Sequence, residues 1–180
     1  MDLTTDVQFP DGIDNMAGIT RRAFLGFVSA FSTLALPVAN PTTYAARVTI
    51  ATNHVLLTGK KLVELYIMYD KSMVESPLVG GRKAKSSKPK ATLFYPGDDA
   101  DALGFYDAIK NGDLALFLEP LEEGDYYIQV GTKALPASVV AGSYKSGTGP
   151  EGEKGITFEI EAASAKPIYH YTGDLPRVGA

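Results

Sequence analysis

The stretch that decides the fold is LALFL at residues 114–118, followed by the turn EEGD at 122–125 and by YYIQV at 126–130. A run of five apolar residues is too short for a typical helix and predicts a short buried strand. The second stretch is rich in aromatic and β-branched side chains, which favour a strand. Because a tight turn separates the two stretches, they predict a β-hairpin.

Further strand signals lie on both sides of this hairpin. They occur at residues 47–52, 55–57, 61–69, 91–95, 136–140, 155–162 and 167–171. The stretch 155–162 alternates apolar and polar residues, as half-buried antiparallel strands do. The stretch 61–69 is almost continuously apolar, which predicts partial burial on both faces or burial against a partner. The pattern predicts a mainly β fold, an antiparallel β-sandwich or barrel.

One flanking α-helix is predicted over about residues 98–111. Asp98 and Asp99 supply an N-cap and negative charge at the positive end of the helix dipole. Asn111 and Gly112 end the helix. The apolar face consists of Ala102, Leu103, Tyr106 and Ile109.

The chain is expected to have three parts: an extended N-terminal arm at 1–45, a β-sandwich or barrel domain at 46–176 with a projecting loop at 70–90, and a tail at 177–180. Phe24, Leu25, Phe27 and Phe31 begin an apolar run that extends to Val38. We interpret this run as an assembly arm whose side chains pack on the body or on a neighbouring subunit.

The same region contains a possible export signal. Arg21 and Arg22 precede the apolar run, as in a twin-arginine signal. However, Asp2, Asp6, Asp11 and Asp14 make the preceding segment acidic, and no clean Ala-x-Ala cleavage site follows. We therefore favour the arm and keep an exported β-sandwich binding module, cleaved after about residues 39–46, as the alternative. The run is too short and too interrupted for a membrane span.

Composition excludes several classes of function. The formal net charge of −4 argues against a general nucleic-acid-binding protein, which needs a surplus of Lys and Arg. The absence of Cys excludes disulfides and thiolate chemistry. Only two histidines, His54 and His170, are present, so a zinc site is improbable and a structural role is expected for both.

No group of residues forms a recognisable catalytic motif, so the protein is predicted not to be an enzyme and to need no cofactor. Acidic residues cluster at 98–101 and at 122–125, but helix capping and solvation explain them better than metal binding or acid–base catalysis. The glycine-rich stretch 147–155 lacks the Gly-Lys-Ser/Thr ending of a phosphate-binding loop and is interpreted as a hairpin loop.

The basic segment 82–90 is the charged feature of greatest interest. Its five cations are Arg82, Lys83, Lys85, Lys88 and Lys90. Without these five, the 17 Lys and Arg of the chain fall to 12, against 21 Asp and Glu. The segment is either a solvated loop or a projection that meets an acidic surface. A cationic loop on an anionic body suits head-to-tail self-assembly.

A series of short motifs along the chain, taken in order, also resembles a known pattern. The motifs are AGI at 17–19, TGKKL at 58–62, FYPG at 94–97, ALGF at 102–105, NGDL at 111–114, GTKALPA at 131–137, GITF at 155–158 and PIYHYTG at 167–173. This pattern is similar to that of small virion structural proteins of tailed phages and prophages of Bacteroidota-type bacteria. The resemblance spans about residues 17–176 and consists mainly of turn and strand positions.

Within that group the layout looks like that of tail tube proteins. The resemblance implies a hexameric ring that stacks into the DNA conduit of a phage tail, assembled in the host cytoplasm. The implied partners are the protein itself and tape measure, neck and tail tip proteins, with DNA only in transit and no membrane. The expected assembly residues are Phe24, Leu25, Phe27, Phe31, Arg82, Lys83, Lys85, Lys88 and Lys90. A capsid decoration or head–tail joining protein is the alternative in this class.

Overall fold

The computed structural model describes residues 6–7, 15–122 and 124–179, and its fold is mainly β with one α-helix, as predicted. The strands are β1 (Ile19–Phe27), β2 (Phe31–Thr33), β3 (Thr49–Ile50), β4 (Val55–Leu56), β5 (Val63–Tyr66), β6 (Met73–Glu75), β7 (Leu78–Val79), β8 (Ser86–Ser87), β9 (Lys90–Pro96), β10 (Leu114–Pro120), β11 (Tyr127–Val130), β12 (Ser138–Lys145), β13 (Gly155–Glu161) and β14 (Tyr169–Tyr171). The helix is α1 (Ala100–Ile109), and short 3-10 helices cover Val28–Ala30 and Ala45–Arg47.

The predicted hairpin lies inside a six-stranded sheet of order β3-β14-β11-β10-β1-β5. Strands β10 and β11 pair antiparallel, with Leu116 opposite Val130 and Leu118 opposite Ile128, so the hairpin is confirmed. All the strand pairs are antiparallel except that of β14 with β3.

A four-stranded sheet of order β12-β13-β9-β6 packs against one face of the six-stranded sheet. The core between them includes Leu25, Leu116 and Leu118 from the first sheet and Leu93, Ile156, Phe158 and Ile160 from the second. The sheets have free edges and do not close, so the fold is a sandwich and not a barrel.

The other face of the six-stranded sheet is also buried. Residues 28–62 contribute Phe31, Leu34, Leu56 and Leu62, which cover Phe24, Phe117 and Tyr171. Both faces of β10 are therefore enclosed, and all five residues of 114–118 are at most 1% exposed. Double coverage explains why this strand is continuously apolar and does not alternate.

The N-terminal segment needs a correction, because its described part is not an arm. Strand β1 lies between β10 and β5 and pairs with both. Residues 28–35 continue into the cover of the sheet. Cleavage after residues 39–46 would remove this interior strand, which contradicts the exported-module alternative. Of the acidic residues ahead of Arg21, Asp2, Asp11 and Asp14 lie outside the described residues.

The predicted helix is confirmed, but its buried face includes Phe105 in place of Leu103. Asp99 is the N-cap, and its Oδ1 accepts a hydrogen bond from the backbone N of Ala102 at 2.9 Å. Ala102 and Ile109 are buried, and Tyr106 packs against the core, but Leu103 is 36% exposed and Phe105 contacts the core instead. The error arises because Leu103 and Phe105 lie on opposite margins of the apolar stripe.

The apolar stretch 61–69 forms the edge strand β5. Leu62, Leu65 and Ile67 are buried, whereas Val63 and Tyr66 are 37% and 49% exposed. The expected burial on both faces is thus incomplete within the chain. No described helix is long and apolar enough to cross a membrane.

Candidate assembly surfaces

Residues 82–87 of the basic segment belong to a projecting β-hairpin made by β7 and β8, while Lys90 begins β9. Leu78 pairs with Ser87 and Val79 with Ser86, and residues 80–85 form the tip. Gly80 has φ +95°, and a side chain there would collide with the carbonyl oxygen of Ala84. Lys83 has φ +65°, which is the left-handed conformation. Gly80 therefore permits a turn that a bulkier residue at this position would strain.

The base of the hairpin is held by the body. The backbone N of Ser87 donates to the carbonyl of Ser164 at 2.8 Å, and Ser164 N donates back at 2.9 Å. Lys88 N donates to the carbonyl of Pro77 at 3.1 Å. Ser87 is 1% exposed, whereas residues 80–85 are almost all exposed. The tip thus projects from a fixed base.

The structure divides the five predicted cations into two groups. Lys88 pairs with Glu161 at 2.7 Å and Lys90 with Glu159 at 2.9 Å, both on the neighbouring strand β13. The hydrogen bond that Lys90 donates to the Glu159 carboxylate raises the pKa of Lys90. These two cations are engaged within their own chain, so they have little charge to offer a partner.

The remaining cations are at the tip. Lys85 Nζ donates to the carbonyl oxygen of Gly80 at 2.6 Å, and its charge meets no carboxylate among the described residues. Arg82 and Lys83 likewise form no ion pair with the described part of the chain. The free positive charge of the segment is therefore concentrated in Arg82, Lys83 and Lys85.

The apolar assembly residues need a further correction. Phe24, Leu25 and Phe31 are 0%, 1% and 4% exposed. Their own chain encloses them, so they cannot touch a neighbour directly. Phe27 is 41% exposed at the end of β1 and lines a cleft of about 260 Å³ with Val63 and Phe105. Of the four, it alone retains a surface for contact.

The two arginines that resembled an export signal have structural contacts. Arg22 makes a bidentate pair with Glu64, with its Nε 2.7 Å from Oε1, and Arg177 contacts the same carboxylate at 3.1 Å. Arg22 lowers the pKa of Glu64. Both guanidinium groups lie over the ring of Phe24 and cover this edge of the core.

His54 is a buried structural residue, as predicted. Its Nδ1 accepts from the backbone N of Ala35 at 3.0 Å, and Nε2 lies 2.9 Å from Oε1 of Gln129. These contacts fit the neutral ring with the proton on Nε2. Burial lowers the pKa of His54 to about 4. His170 is half-buried and stacks on Tyr126, and burial lowers its pKa as well.

The acidic residues at the helix start are engaged in structural contacts. Asp98 accepts from Tyr144 Oη at 2.9 Å and from Lys154 Nζ at 2.7 Å, while Asp99 caps the helix. No group of three or more metal-ligating side chains occurs within residues 6–7, 15–122 and 124–179. Glu123, which belongs to the second acidic cluster, lies outside those residues.

Sequence reasoning missed an acidic depression at one end of the six-stranded sheet. Thr20, Glu119, Glu122 and Asp125 line a volume of about 440 Å³. Glu119 lies on β10 and accepts a hydrogen bond from Thr20 at 3.1 Å, across a separation of 99 residues. Only the pairing of β1 with β10 brings these residues together.

No protein-family model matches this chain, and no curated protein matches it. A chain of a solved structure described as "Virion of native gene transfer agent (GTA) particle" has a TM-score of 0.33 and 13% identity, over 87% of this chain and 87% of that chain. A similarity this low defines neither family nor function. The fold and surfaces themselves define an antiparallel β-sandwich protein with a projecting cationic hairpin.

Proposed function

We propose that this protein is a phage virion structural protein, and specifically a tail tube subunit that assembles into stacked hexameric rings around a DNA conduit. The observation that carries the proposal is the hairpin 78–87, which projects Arg82, Lys83 and Lys85 from a body with excess negative charge. The motif pattern along residues 17–176 supports the same class. Tape measure, neck and tail tip proteins would be its other partners.

The charge distribution favours self-assembly through unlike surfaces. A heterologous contact joins one patch to a different, complementary patch and can therefore repeat along an axis. Complementary charge orients such contacts and accelerates association. A net negative subunit would also give a conduit to which DNA does not adhere.

The sheet edges provide surfaces for neighbours within a ring. Strand β5 ends the six-stranded sheet, and Val63 and Tyr66 are partly exposed there. Strand β12 ends the four-stranded sheet, with Val140 51% and Tyr144 45% exposed. Sheet edges with unpaired backbone groups and apolar side chains readily pair with another chain. Lateral packing at these edges would complement stacking through the hairpin.

Electron microscopy of the purified protein tests the proposal. We expect rings and tubes from the wild type, and folded subunits that do not stack from R82E/K83E/K85E. The control K88E changes a cation that directly follows the hairpin and is already paired with Glu161, so this variant should still stack. A wild type that stays monomeric at all concentrations would refute the proposal, as would tubes of normal length from the triple variant. Rings that never stack would favour a decoration or head–tail joining protein.

A further inference from the structure

Strand directions define two ends of the sandwich. The starts of β10 and β12 meet, because Leu114 and Ala137 exchange backbone hydrogen bonds of 2.7 and 2.8 Å. Ser76, at the base of the hairpin, donates to the carbonyl of Pro167, just before β14 begins. β14 runs parallel to β10, since both are antiparallel to β11. The hairpin therefore lies at the end where β10 begins.

Contacts at the opposite end of the sandwich lead to the same placement of the hairpin. Met68 follows β5, and its backbone N donates to the carbonyl of Phe94, near the end of β9, at 2.9 Å. Strand β5 runs parallel to β10, because both are antiparallel to β1. The end of β9 thus lies where β10 ends, and the start of β9, which carries the hairpin, lies at the opposite end. The acidic depression, which begins at Glu119 near the end of β10, is far from the hairpin.

The turns that connect the strands carry mainly positive charge at one end of the sandwich and mainly negative charge at the other. At the hairpin end, which we name the basic end, the turns cover residues 57–62, 76–89, 110–113, 131–137 and 162–168. Their charged residues are Lys60, Lys61, Arg82, Lys83, Lys85, Lys88, Lys110, Lys133 and Lys166, with Asp113 as the single carboxylate. Two of these cations are paired with carboxylates of adjoining elements, Lys88 with Glu161 and Lys110 with Asp107, and seven remain. Such clustering of one sign at one end creates a positive potential beyond it.

The opposite, acidic end has the reverse composition. Its turns cover residues 67–72, 97–99, 121–126, 146–154 and 172–174. Their described carboxylates are Asp70, Asp98, Asp99, Glu122, Asp125, Glu151, Glu153 and Asp174. The two cations in these turns are neutralised, because Lys71 pairs with Glu153 and Lys154 with Asp98.

The acidic depression is a concave part of this end. Glu122 and Asp125 lie on its rim and form no ion pair with any described residue. Burial of Tyr126 raises its pKa, and the negative charge of the neighbouring Glu122 raises it further. Leu121 and Pro120 add an apolar surface to the same depression.

We propose that the hairpin tip at 80–85 of one copy docks into the acidic depression of the next copy, so that the subunits join head to tail with a single polarity. This inference rests on the self-assembly of the proposed function and identifies the surface that receives the hairpin. One copy cannot join its own two surfaces, since they lie at opposite ends. The negative depression would repel DNA, which makes a second copy the fitting occupant.

Two charge-reversal variants and their mixture test the docking. R82E/K83E/K85E makes the tip negative, and E122K/D125K makes the depression positive. Each variant alone should self-associate at least tenfold more weakly than the wild type in sedimentation velocity at low salt. Mixed together, they should recover association, because each then offers a complement to the other. The five substitutions combined in one chain should also restore it.

The controls separate specific docking from net charge. D101K/D107K changes the net charge as much as E122K/D125K does, but on exposed positions of α1, and should associate like the wild type. Circular dichroism and urea unfolding identify any variant that fails to fold. For an unfolded E122K/D125K, the milder E122Q/D125N replaces it, with a smaller loss expected.

Each of the other outcomes decides for or against the docking of the hairpin tip. If E122K/D125K assembles like the wild type while the tip variant fails, the docking inference is wrong and the proposed function stands. If the mixture shows no recovery, the docking inference is wrong as well. If single-file chains form without rings, docking is supported and the tail tube proposal is refuted. If the tip binds a DNA duplex and its reversal leaves self-association unchanged, the occupant is not a second copy.

Discussion

The N-terminal segment 19–35, predicted as part of an arm at 1–45, and the basic hairpin 78–87, predicted as part of a projecting loop at 70–90, have opposite structures. Strand β1 is an interior strand of the six-stranded sheet, between β10 and β5, and Phe24 is fully buried. The hairpin tip lies outside both cores and is almost wholly exposed. The comparison teaches that a segment's own apolar content decides whether its own chain covers it.

The free energy gained by burying apolar side chains explains why the N-terminal segment is enclosed and the hairpin is not. Full burial of a Phe or Leu side chain contributes about 1.5–3 kcal/mol, and the N-terminal segment buries several such residues in the two cores. The hairpin offers mainly glycines and cations, whose transfer to an apolar interior is costly. Only Ser87 at its base is buried. The hairpin therefore remains available to a neighbour.

The largest expected effect comes from Phe24. F24A should lower the free energy of unfolding by about 3–5 kcal/mol, because a fully buried ring is replaced by a cavity. F27A, at a 41% exposed position of the same strand, should cost much less. Urea unfolding of both variants measures the difference. Equal and small losses would mean that the segment is an arm and that the comparison is mistaken.

The second effect concerns His54, which attaches the N-terminal cover to the sheet through Ala35. The unfolded histidine takes up a proton near pH 6.5, whereas in the folded state its pKa is about 4. Between these values the unfolded chain binds more protons, so stability rises with pH and falls on acidification. The loss should reach about 3 kcal/mol between pH 7 and 4.

Urea unfolding at pH 7 and pH 4.5 checks this prediction. The variant H54N lacks the titrating ring and should lose much of the pH dependence in this window. His170 also has a lowered pKa and will retain some of it. Identical pH profiles for the wild type and H54N would show that burial of His54 does not set the acid sensitivity of the cover.

The smallest effects on stability are expected in the hairpin and at Lys88, which directly follows it. K88Q removes a half-exposed pair with Glu161 and should reduce stability by less than about 1 kcal/mol. R82Q removes a cation with no ion pair among the described residues and should leave stability within about 0.5 kcal/mol of wild type. Thermal unfolding measures both. A larger loss for R82Q than for K88Q would place the tip inside the folding unit.

The elements predicted correctly are those with strong local signals. The hairpin 114–130, the strand at 91–95 and the cap of α1 by Asp99 were all visible as apolar runs, turns and capping residues. Strand β3 is only Thr49–Ile50, shorter than the predicted 47–52, and it pairs only with β14. The cover formed by 28–62 was not predicted, since its proline-interrupted, irregular chain has no period to detect.

The candidate surfaces were predicted in part. A basic projection was predicted from composition, but its division into paired and unpaired cations required the positions of Glu159 and Glu161 on β13. The acidic depression joins Thr20 to Glu119, Glu122 and Asp125. No sequence spacing reveals such a group, because strand pairing across the sheet creates it.

The sequence by itself determined the mainly β class, the hairpin, the capped helix and the concentration of cations at 82–90, because each depends on neighbouring residues. Only the tertiary structure decided that β1 is a core strand, that Lys88 and Lys90 are already paired, and that opposite charges occupy opposite ends of the sandwich. Those properties depend on strand order and register. Register is fixed by which faces are buried when distant segments meet, and that information is spread over the whole chain.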